Sequence, residues 1–147
     1  MLGDEPGVVV RCQDSPSVAV TFLDRFRYDQ DIVDHSVEVR ARGLTARVDG
    51  VVPWTGEDGL VPYLEGLAAD FRGWEGERTW RSPDRDLAVS AVFRSGGHMG
   101  LTWILRSQGD TADDWAVSVT TWLEGGEQMT SLVAALRHFL DEEHPGA

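Results

Sequence analysis

The sequence predicts one α+β domain, in which an antiparallel sheet of about seven or eight strands carries two helices packed on one face. Three observations support this fold class. Several short runs alternate apolar and polar residues, which is the period of half-buried strands. Two longer segments repeat apolar residues every three or four positions, as amphipathic helices do. The 147 residues contain no internal repeat and no linker, so we expect a single domain over 1–147.

The segment 59–82 is the part around which we expect the fold to be organised. Its apolar stripe has helical spacing and comprises Leu60, Leu64, Leu67, Ala68 and Phe71. Pro62 lacks an N–H and is tolerated only in the first turn, so this helix should begin near Asp58 or Gly59. Gly73 suits the left-handed position just past the helix end.

The first fifty or so residues favour strands. Runs of β-branched residues predict strands over 8–12 and 17–23, a polar loop over 24–34 and a hairpin over 36–50. In this hairpin Glu38 lies opposite Arg47 on the outer face, a pair worth about 0.2–1 kcal/mol. Arg42 suits the tightest turns poorly, so the sequence leaves open whether Arg42-Gly43 forms a two-residue or a four-residue turn.

The C-terminal half has the sharpest alternation. Two strands present apolar residues to one face, the first with Leu87, Val89, Ala91 and Phe93, the second with Met99, Leu101, Trp103 and Leu105. A three-residue loop over 95–97 pairs the two sets in order, which places Val89 opposite Trp103. A two-residue loop would place Ser90 there instead, so the odd loop is favoured.

A further strand and a second helix complete the pattern. The strand covers 115–123 and extends the same apolar face. The helix runs over about 127–141, with Glu127 favourable at its start and Pro145 preventing much continuation. We also expect four tryptophans on the core side of the sheet, with Trp74 and Trp80 mostly buried and Trp103 and Trp115 on the side of the helices.

Charge is the most informative bulk property. The chain has 25 acidic residues against 13 basic ones, a formal net charge of -12. Such a field repels nucleic acid and anionic membranes and steers a basic partner towards the protein, although acidity can also serve solubility alone. Every basic residue is arginine, which points to a GC-rich, actinobacterial-type genome. The oligomeric state stays open.

The sequence indicates a cytoplasmic protein. It has no run of about 18–20 apolar residues that would span a bilayer. Its N-terminus lacks the basic region and long apolar core of a signal peptide. The single cysteine, Cys12, excludes an internal disulfide and lies in an apolar strand, where a core role is favoured over catalysis.

No pattern of titratable residues predicts catalysis, a metal site or a cofactor. The acidic loop contains Asp29, Asp31, Asp34 and His35, but it lacks the glycine and terminal glutamate of a calcium loop, so a solvated loop is favoured. The other histidines, His98, His138 and His144, show no zinc spacing. The chain contains no nucleophile elbow, P-loop or dinucleotide fingerprint.

The outward side of the C-terminal strands is the candidate partner-binding surface. It carries the residues Ser90, Val92 and Arg94, then His98, Gly100 and Thr102, then Ser118, Thr120 and Trp122. Arg94, His98 and Trp122 gather near one end, and arginine and tryptophan are favoured interface anchors. The same pattern also fits an ordinary half-wet outer face of an antiparallel sheet.

One motif carries a family resemblance. The run FRGWEGERTWRS contains a GW-x-G-x-R-x-W core formed by Gly73, Trp74, Gly76, Arg78 and Trp80, and Gly97-His98 opens a later strand. Over roughly 60–140 the chain resembles an uncharacterised actinobacterial family of small acidic proteins. It is also similar to the WapI-like immunity proteins, which neutralise contact-delivered bacterial toxins. The resemblance implies no catalytic residues.

Two functional hypotheses follow. In the first, the protein is a non-enzymatic binder, most concretely an immunity protein that occludes a basic toxin domain. In the second, it binds a small molecule or is an unrecognised enzyme, with a pocket near Trp74, Arg78 and Trp80. We interpret Arg78 as structural, stacked on a tryptophan or paired with Glu75 or Glu77.

Overall fold

The computed structural model describes residues 7–27, 33–54, 56–107 and 114–141. The strands are β1 (Val8–Arg11), β2 (Ala19–Arg27), β3 (Val33–Ala41), β4 (Leu44–Val51), β5 (Arg78–Arg81), β6 (Leu87–Arg94), β7 (His98–Arg106) and β8 (Ala116–Glu124). The helices are α1 (Leu60–Ala69), preceded by a 3-10 turn at Gly56–Asp58, and α2 (Glu127–Asp141). The predicted α+β class and the strand number are therefore confirmed.

The strands form two sheets, so the prediction of one continuous sheet is wrong. The first sheet has the order β1-β2-β3-β4 and the second has the order β5-β6-β7-β8, all antiparallel. The split falls where the chain leaves β4 and passes through α1 before β5. The alternation of apolar and polar residues predicts how strands joined by short turns pair. It does not show whether two such hairpins belong to the same sheet.

One hydrophobic core joins both sheets and both helices. β3 contacts β8 and β4 contacts β7, so the inner faces of the sheets meet. The rings of Phe22 on β2 and Trp103 on β7 pack edge to face with centroids 5.8 Å apart. Cys12 is buried, as expected of a core cysteine.

The predicted registers are confirmed in both hairpin regions. β6 and β7 pair from Leu87 with Leu105 to Arg94 with His98, and the loop over 95–97 has two left-handed glycines, Gly96 and Gly97. In the first sheet Glu38 pairs with Arg47. The turn left open by the sequence has two residues, because Ala41 pairs directly with Leu44 and Gly43 takes a φ of 75°.

The predicted loop over 24–34 is wrong at both ends. β2 continues to Arg27 and β3 begins at Val33, while residues 28–32 of this prediction lie outside the described residues. The reason is a bulge, since Asp24 has a φ of 55° and the β2–β3 register shifts between Leu23 and Phe26. A bulge interrupts alternation, so a polar strand of this kind resembles a loop in sequence.

The first helix is shorter than predicted. It begins at Leu60 after Gly59 and ends at Ala69, so Phe71 is 60% exposed and does not continue the buried stripe. Gly73 is left-handed, with a φ of 107°, but it lies beyond the position just past the helix end. A Cβ there would lie 2.7 Å from the ring of Phe93, so close packing is a second reason for glycine.

The second helix has the predicted bounds, Glu127–Asp141. The helices contact each other, α2 also contacts β1 and β8, and α1 contacts β5. An ion pair between Arg137 and Glu65 links them. The placing of both helices on one face stays a prediction. None of the helices in the described part of the chain has the length and apolarity needed to cross a membrane.

The four core tryptophans differ in burial. Trp103 is fully buried, and its Nε1 donates to the Thr121 hydroxyl at 3.0 Å. Trp74 and Trp80 are mostly buried and pack against the core, as predicted. Trp115 lies just before β8 and is 37% exposed, so it is not part of the buried core, and its side of the sheet stays a prediction.

Candidate functional site

The candidate site is the outer face of the second sheet, meaning the side of β6, β7 and β8 that points away from the core. All seven predicted partner-binding residues lie on this face. Each is next in sequence to a residue that points inward, and successive side chains of a strand point to opposite faces. The seven are Ser90, Arg94, His98, Thr102, Ser118, Thr120 and Trp122. The face is therefore assembled as predicted, whereas its internal contacts were not predictable from alternation.

Arg94 and Trp122 form a stacked pair at one end of this face. The guanidinium carbon of Arg94 lies 4.0 Å from the centroid of the Trp122 ring. The stack spans the sheet, since Arg94 is on β6 and Trp122 is on β8. Gly100 on the intervening β7 makes this possible, because a Cβ at Gly100 would lie 2.6 Å from the Trp122 ring. Thus a glycine in a strand interior provides the slot for the indole.

The stack is held from the β1 side of the molecule as well. The Asp14 carboxylate lies 3.9 Å from the Arg94 guanidinium, and both side chains are about half exposed. The Trp122 carbonyl accepts a hydrogen bond of 2.9 Å from the Gln13 N–H. The Trp122 N–H donates to the Cys12 sulfur at 3.4 Å. Sequence reasoning missed Asp14, because no local pattern relates residues so distant along the chain.

The remaining site residues divide into two groups. A row of hydroxyls runs across the sheet, and Thr102 and Thr120 in it share a hydrogen bond of 2.7 Å. His98 pairs in register with Arg94 and with Glu124, so it lies at the same end as the stack. Ser118 is opposite Ile104 and lies farther from that end. The structure therefore brings Arg94, His98 and Trp122 together and leaves Ser118 apart.

The other titratable candidates do not converge with this face. In the described part of the chain, no three or more His, Cys, Asp or Glu side chains are grouped so as to hold a metal ion. Asp29, Asp31 and His144 lie outside the described residues. His35 is buried, and burial lowers its pKa to about 4, so it is neutral at pH 7.

The tryptophan and arginine motif forms a separate cluster between α1 and β5. The Arg78 guanidinium carbon lies 4.6 Å from the centroid of Trp74, which confirms the predicted stacking. Its ion-pair partner is Asp70 at 2.5 Å, so the prediction of Glu75 or Glu77 is wrong. Asp70 caps α1, and the pair therefore ties the helix end to the start of β5.

Further contacts occupy the polar groups of this cluster. The Tyr63 hydroxyl donates to the Arg78 carbonyl at 2.6 Å, and burial raises the pKa of Tyr63 above its usual value. The Trp80 Nε1 donates to the Asp58 carbonyl at 2.8 Å. By contrast, the Trp74 Nε1 is buried and has no hydrogen-bond acceptor among the described residues. Most of the cluster is thus internally satisfied, as a structural motif requires.

Comparison with known proteins gives one result. The sequence model of a family of unknown function (DUF6228) matches residues 11–143. The comparisons with curated proteins and with solved structures find no match. The matched range includes both the outer face of the second sheet and the cluster around Arg78, and the expected resemblance to an uncharacterised family is confirmed.

Proposed function

The chain belongs to DUF6228, a family of unknown function, and from this premise we propose that it is a non-enzymatic protein-binding module. Its partner would dock on the outer face of the second sheet. The observation that carries the proposal is the stack of Arg94 on Trp122 in the slot left by Gly100. Arginine and tryptophan are the residues most enriched among interface hot spots.

Preorganisation is the physical reason that this stack suits binding. Ordering a rotamer-rich side chain at an interface costs about 0.5–1.5 kcal/mol. Here Arg94 already stacks on Trp122, so less of that cost remains when a partner arrives. The Arg94 side chain is still 52% exposed and keeps guanidinium donors for a partner. The neighbouring hydroxyls add adaptable polar contacts.

The net charge of the protein, and not the charge of the docking face, supports a basic partner that is steered from a distance. The outer face itself carries Arg94 and Arg81, whereas segment 56–77 holds six acidic residues against a single arginine. With a net charge of -12, the protein attracts a basic domain before contact and repels nucleic acid and anionic membranes. The concrete form of the proposal is a cytoplasmic immunity protein that neutralises a basic toxin domain.

The test uses the purified products of the reading frames beside the gene as probes, with titration calorimetry against the wild-type protein. If the outer face is the interface, Trp122→Ala weakens binding about 30-fold, because an interface hot spot contributes about 2 kcal/mol. Gly100→Ala weakens it as well, since the added Cβ displaces the indole. Arg40→Ala, at an exposed arginine of the first sheet, is the matched control and leaves binding unchanged.

Ionic strength provides the second arm of this experiment. Steering is screened over about 8–10 Å at physiological salt, so the association rate should fall markedly as salt is raised. An association rate that does not change with salt concentration would contradict electrostatic steering of the partner. Binding that tolerates both Trp122→Ala and Gly100→Ala would remove the outer face from it.

The alternative is a small-molecule-binding protein or an enzyme whose pocket lies near Trp74, Arg78 and Trp80. One observation favours it, namely the buried Trp74 Nε1, which a ligand oxygen could satisfy. The rest of the cluster favours a structural role, because Arg78 is engaged with both Trp74 and Asp70. The two interpretations differ in what a conservative change at Arg78 would do.

Arg78→Lys is expected to lower the free energy of unfolding by about 0.5–1 kcal/mol, since lysine keeps the charge but loses planar stacking at a partly exposed site. Arg81→Lys, at an exposed position on the same strand, is the control and should be neutral. Denaturant unfolding measures both. A variant that stayed fully stable but lost a ligand or a turnover would assign Arg78 to a functional site instead.

A further inference from the structure

A groove of about 550 Å³ lies between β1, the end of β8 and the first half of α2. Its volume is within the range of peptide-sized and ligand-sized pockets, about 300–1,000 Å³. One wall is the whole of β1, Val8–Arg11, and the opposite wall is one side of α2 that includes Glu127, Gln128 and Leu132. Glu124, at the end of β8, also lines the groove. None of the residues proposed above as partner anchors lines it.

The wall formed by β1 is a strand edge whose outward backbone groups have no hydrogen-bond partner among the described residues. In an antiparallel pair, alternate residues direct their N–H and C=O groups towards and away from the partner strand. The Cys12 N–H donates to Val18 on the β2 side, whereas the Gln13 N–H donates to Trp122 on the other side. Val9 and Arg11 are in phase with Gln13, so their backbone groups point away from β2. No hydrogen bond joins those groups to another described residue.

The edge stays open because β8 turns away from it. β8 and the segment after β1 approach at Gln13 and Trp122, but two residues later the Glu124 N–H donates to the Gln128 side chain at 2.7 Å. The chain then enters α2, which lies along β1 without pairing with it. Val9 is 48% exposed in this opening. An exposed edge strand of this kind is a template for another extended segment.

We propose that the groove is a peptide-binding site in which an extended, basic segment of a partner protein adds as a strand to the outer edge of β1. Main-chain hydrogen bonds to Val9 and Arg11 would give affinity, as in other complexes formed by strand addition. The apolar floor formed by Leu123 and Leu132 would accept alternate apolar side chains of the segment. This site is independent of the proposed outer-face interface.

The charge of the groove favours a basic segment as its occupant. The groove contains the carboxylates of Glu124 and Glu127, whereas its arginine, Arg11, donates to the Pro16 carbonyl at 3.2 Å. A basic segment would therefore be complementary to the groove and to the net charge of the protein. Residues 1–6 of this chain are a poorer fit, because they contain Asp4 and Glu5 but no basic residue. A second copy is disfavoured too, since pairing two β1 edges would bring like carboxylates together.

The test measures fluorescence anisotropy with a labelled hexapeptide of alternating arginine and valine. Val9→Pro removes the outward N–H but no bond to β2, so it should leave unfolding nearly unchanged and weaken binding about tenfold. Glu127→Gln should weaken binding about threefold, the size of a single rim charge. Arg40→Ala, at an exposed arginine of β3 that does not line the groove, is the matched control and leaves peptide affinity within about twofold.

A second measurement leaves the protein untouched. The same peptide with alternate backbone amides methylated keeps its side chains but cannot complete the strand pairing, so it should not bind. Equal binding of the methylated peptide would overturn strand addition, and preference for a glutamate-valine peptide would overturn the basic specificity. Absence of saturable binding by the arginine-valine peptide would overturn the site.

Two further results would assign the groove to another occupant and overturn the proposal. One is a gain of tenfold or more in peptide affinity when residues 1–6 are deleted, which would show that the N-terminus fills the groove. The other is a wild-type dimer in sedimentation that Val9→Pro abolishes. Unchanged affinity after the deletion, together with a monomer in sedimentation, supports the proposed partner segment.

Discussion

Trp103→Ala is expected to lower the free energy of unfolding by about 3–5 kcal/mol, the cost of truncating a large core aromatic. The Trp103 ring is fully buried and packs edge to face on Phe22 of the opposite sheet. The truncation would thus remove this contact between the sheets and leave a cavity. It would also leave the buried Thr121 hydroxyl without its indole partner. Denaturant unfolding monitored by circular dichroism gives the difference directly.

Two variants locate the origin of this loss. Trp103→Phe keeps a ring against Phe22 but removes the Nε1 donor, so its cost should be clearly smaller. Trp115→Ala truncates a tryptophan that is 37% exposed and lies outside β8, so it should cost under about 1 kcal/mol. A Trp103→Ala protein within about 1 kcal/mol of wild type would contradict the packing of the two inner faces.

Acidification from about pH 6.5 to pH 4 is expected to destabilise the protein by about 3 kcal/mol through His35 alone. Burial lowers the pKa of His35 from 6.5 to about 4, so the unfolded chain binds this proton first as the pH falls. Stability from this group is therefore present above pH 6.5 and is lost as the pH falls to 4. Phe22 and Phe139 pack around the ring. The effect of burial outweighs the Ser36 backbone hydrogen bond and the charges of Asp34 and Asp86, which raise the pKa.

The contribution of His35 can be isolated by comparing pH profiles of unfolding. His35→Leu fills a similar volume without a titrating group, so its stability should change far less across this window. Asp49 titrates separately, because its hydrogen bonds from Arg47 and Ser36 lower its pKa and confine its effect to more acidic solutions. Parallel profiles for wild type and His35→Leu would show that folding does not lower the pKa of His35.

Strand pairing within each hairpin could be predicted because it depends on local parity. A loop of odd length over 95–97 was required to bring Val89 opposite Trp103, and this pair is present. The same reasoning placed Glu38 opposite Arg47. One buried face per sheet makes a register error costly, since a slip by one residue exposes every apolar side chain. Parity in the sequence therefore determines register before any tertiary contact is known.

Contacts between distant segments could not be predicted in this way. The division into two sheets depends on how the chain passes from β4 through α1 to β5, which no alternation records. The bulge at Asp24 interrupts the alternation of β2, so the end of this strand had the sequence pattern of a loop. Similarly, Arg78 was expected to pair within its own turn, but its partner Asp70 caps the preceding helix.

The candidate site shows the same limit. Alternation placed Arg94, His98 and Trp122 on one outer face and near one end of it, as observed. It did not reveal that Gly100 makes room for the indole or that Asp14 holds the arginine. The groove beside β1 was missed entirely, because it arises from the divergence of two strands more than a hundred residues apart in sequence.

The consecutive order of strands in each sheet has a consequence for how the chain acquires its structure during synthesis. Each sheet pairs only strands that are neighbours in sequence, so each can form from contacts of short separation. The first four strands leave the ribosome before the second sheet has been synthesised. Phe22 therefore stays uncovered until Trp103 is available to pack on it. Aggregation is therefore most favoured while only the first half of the chain has been synthesised. For the same reason, a break between β4 and α1 would give two fragments with a complete sheet each, suited to reassembly from separate halves.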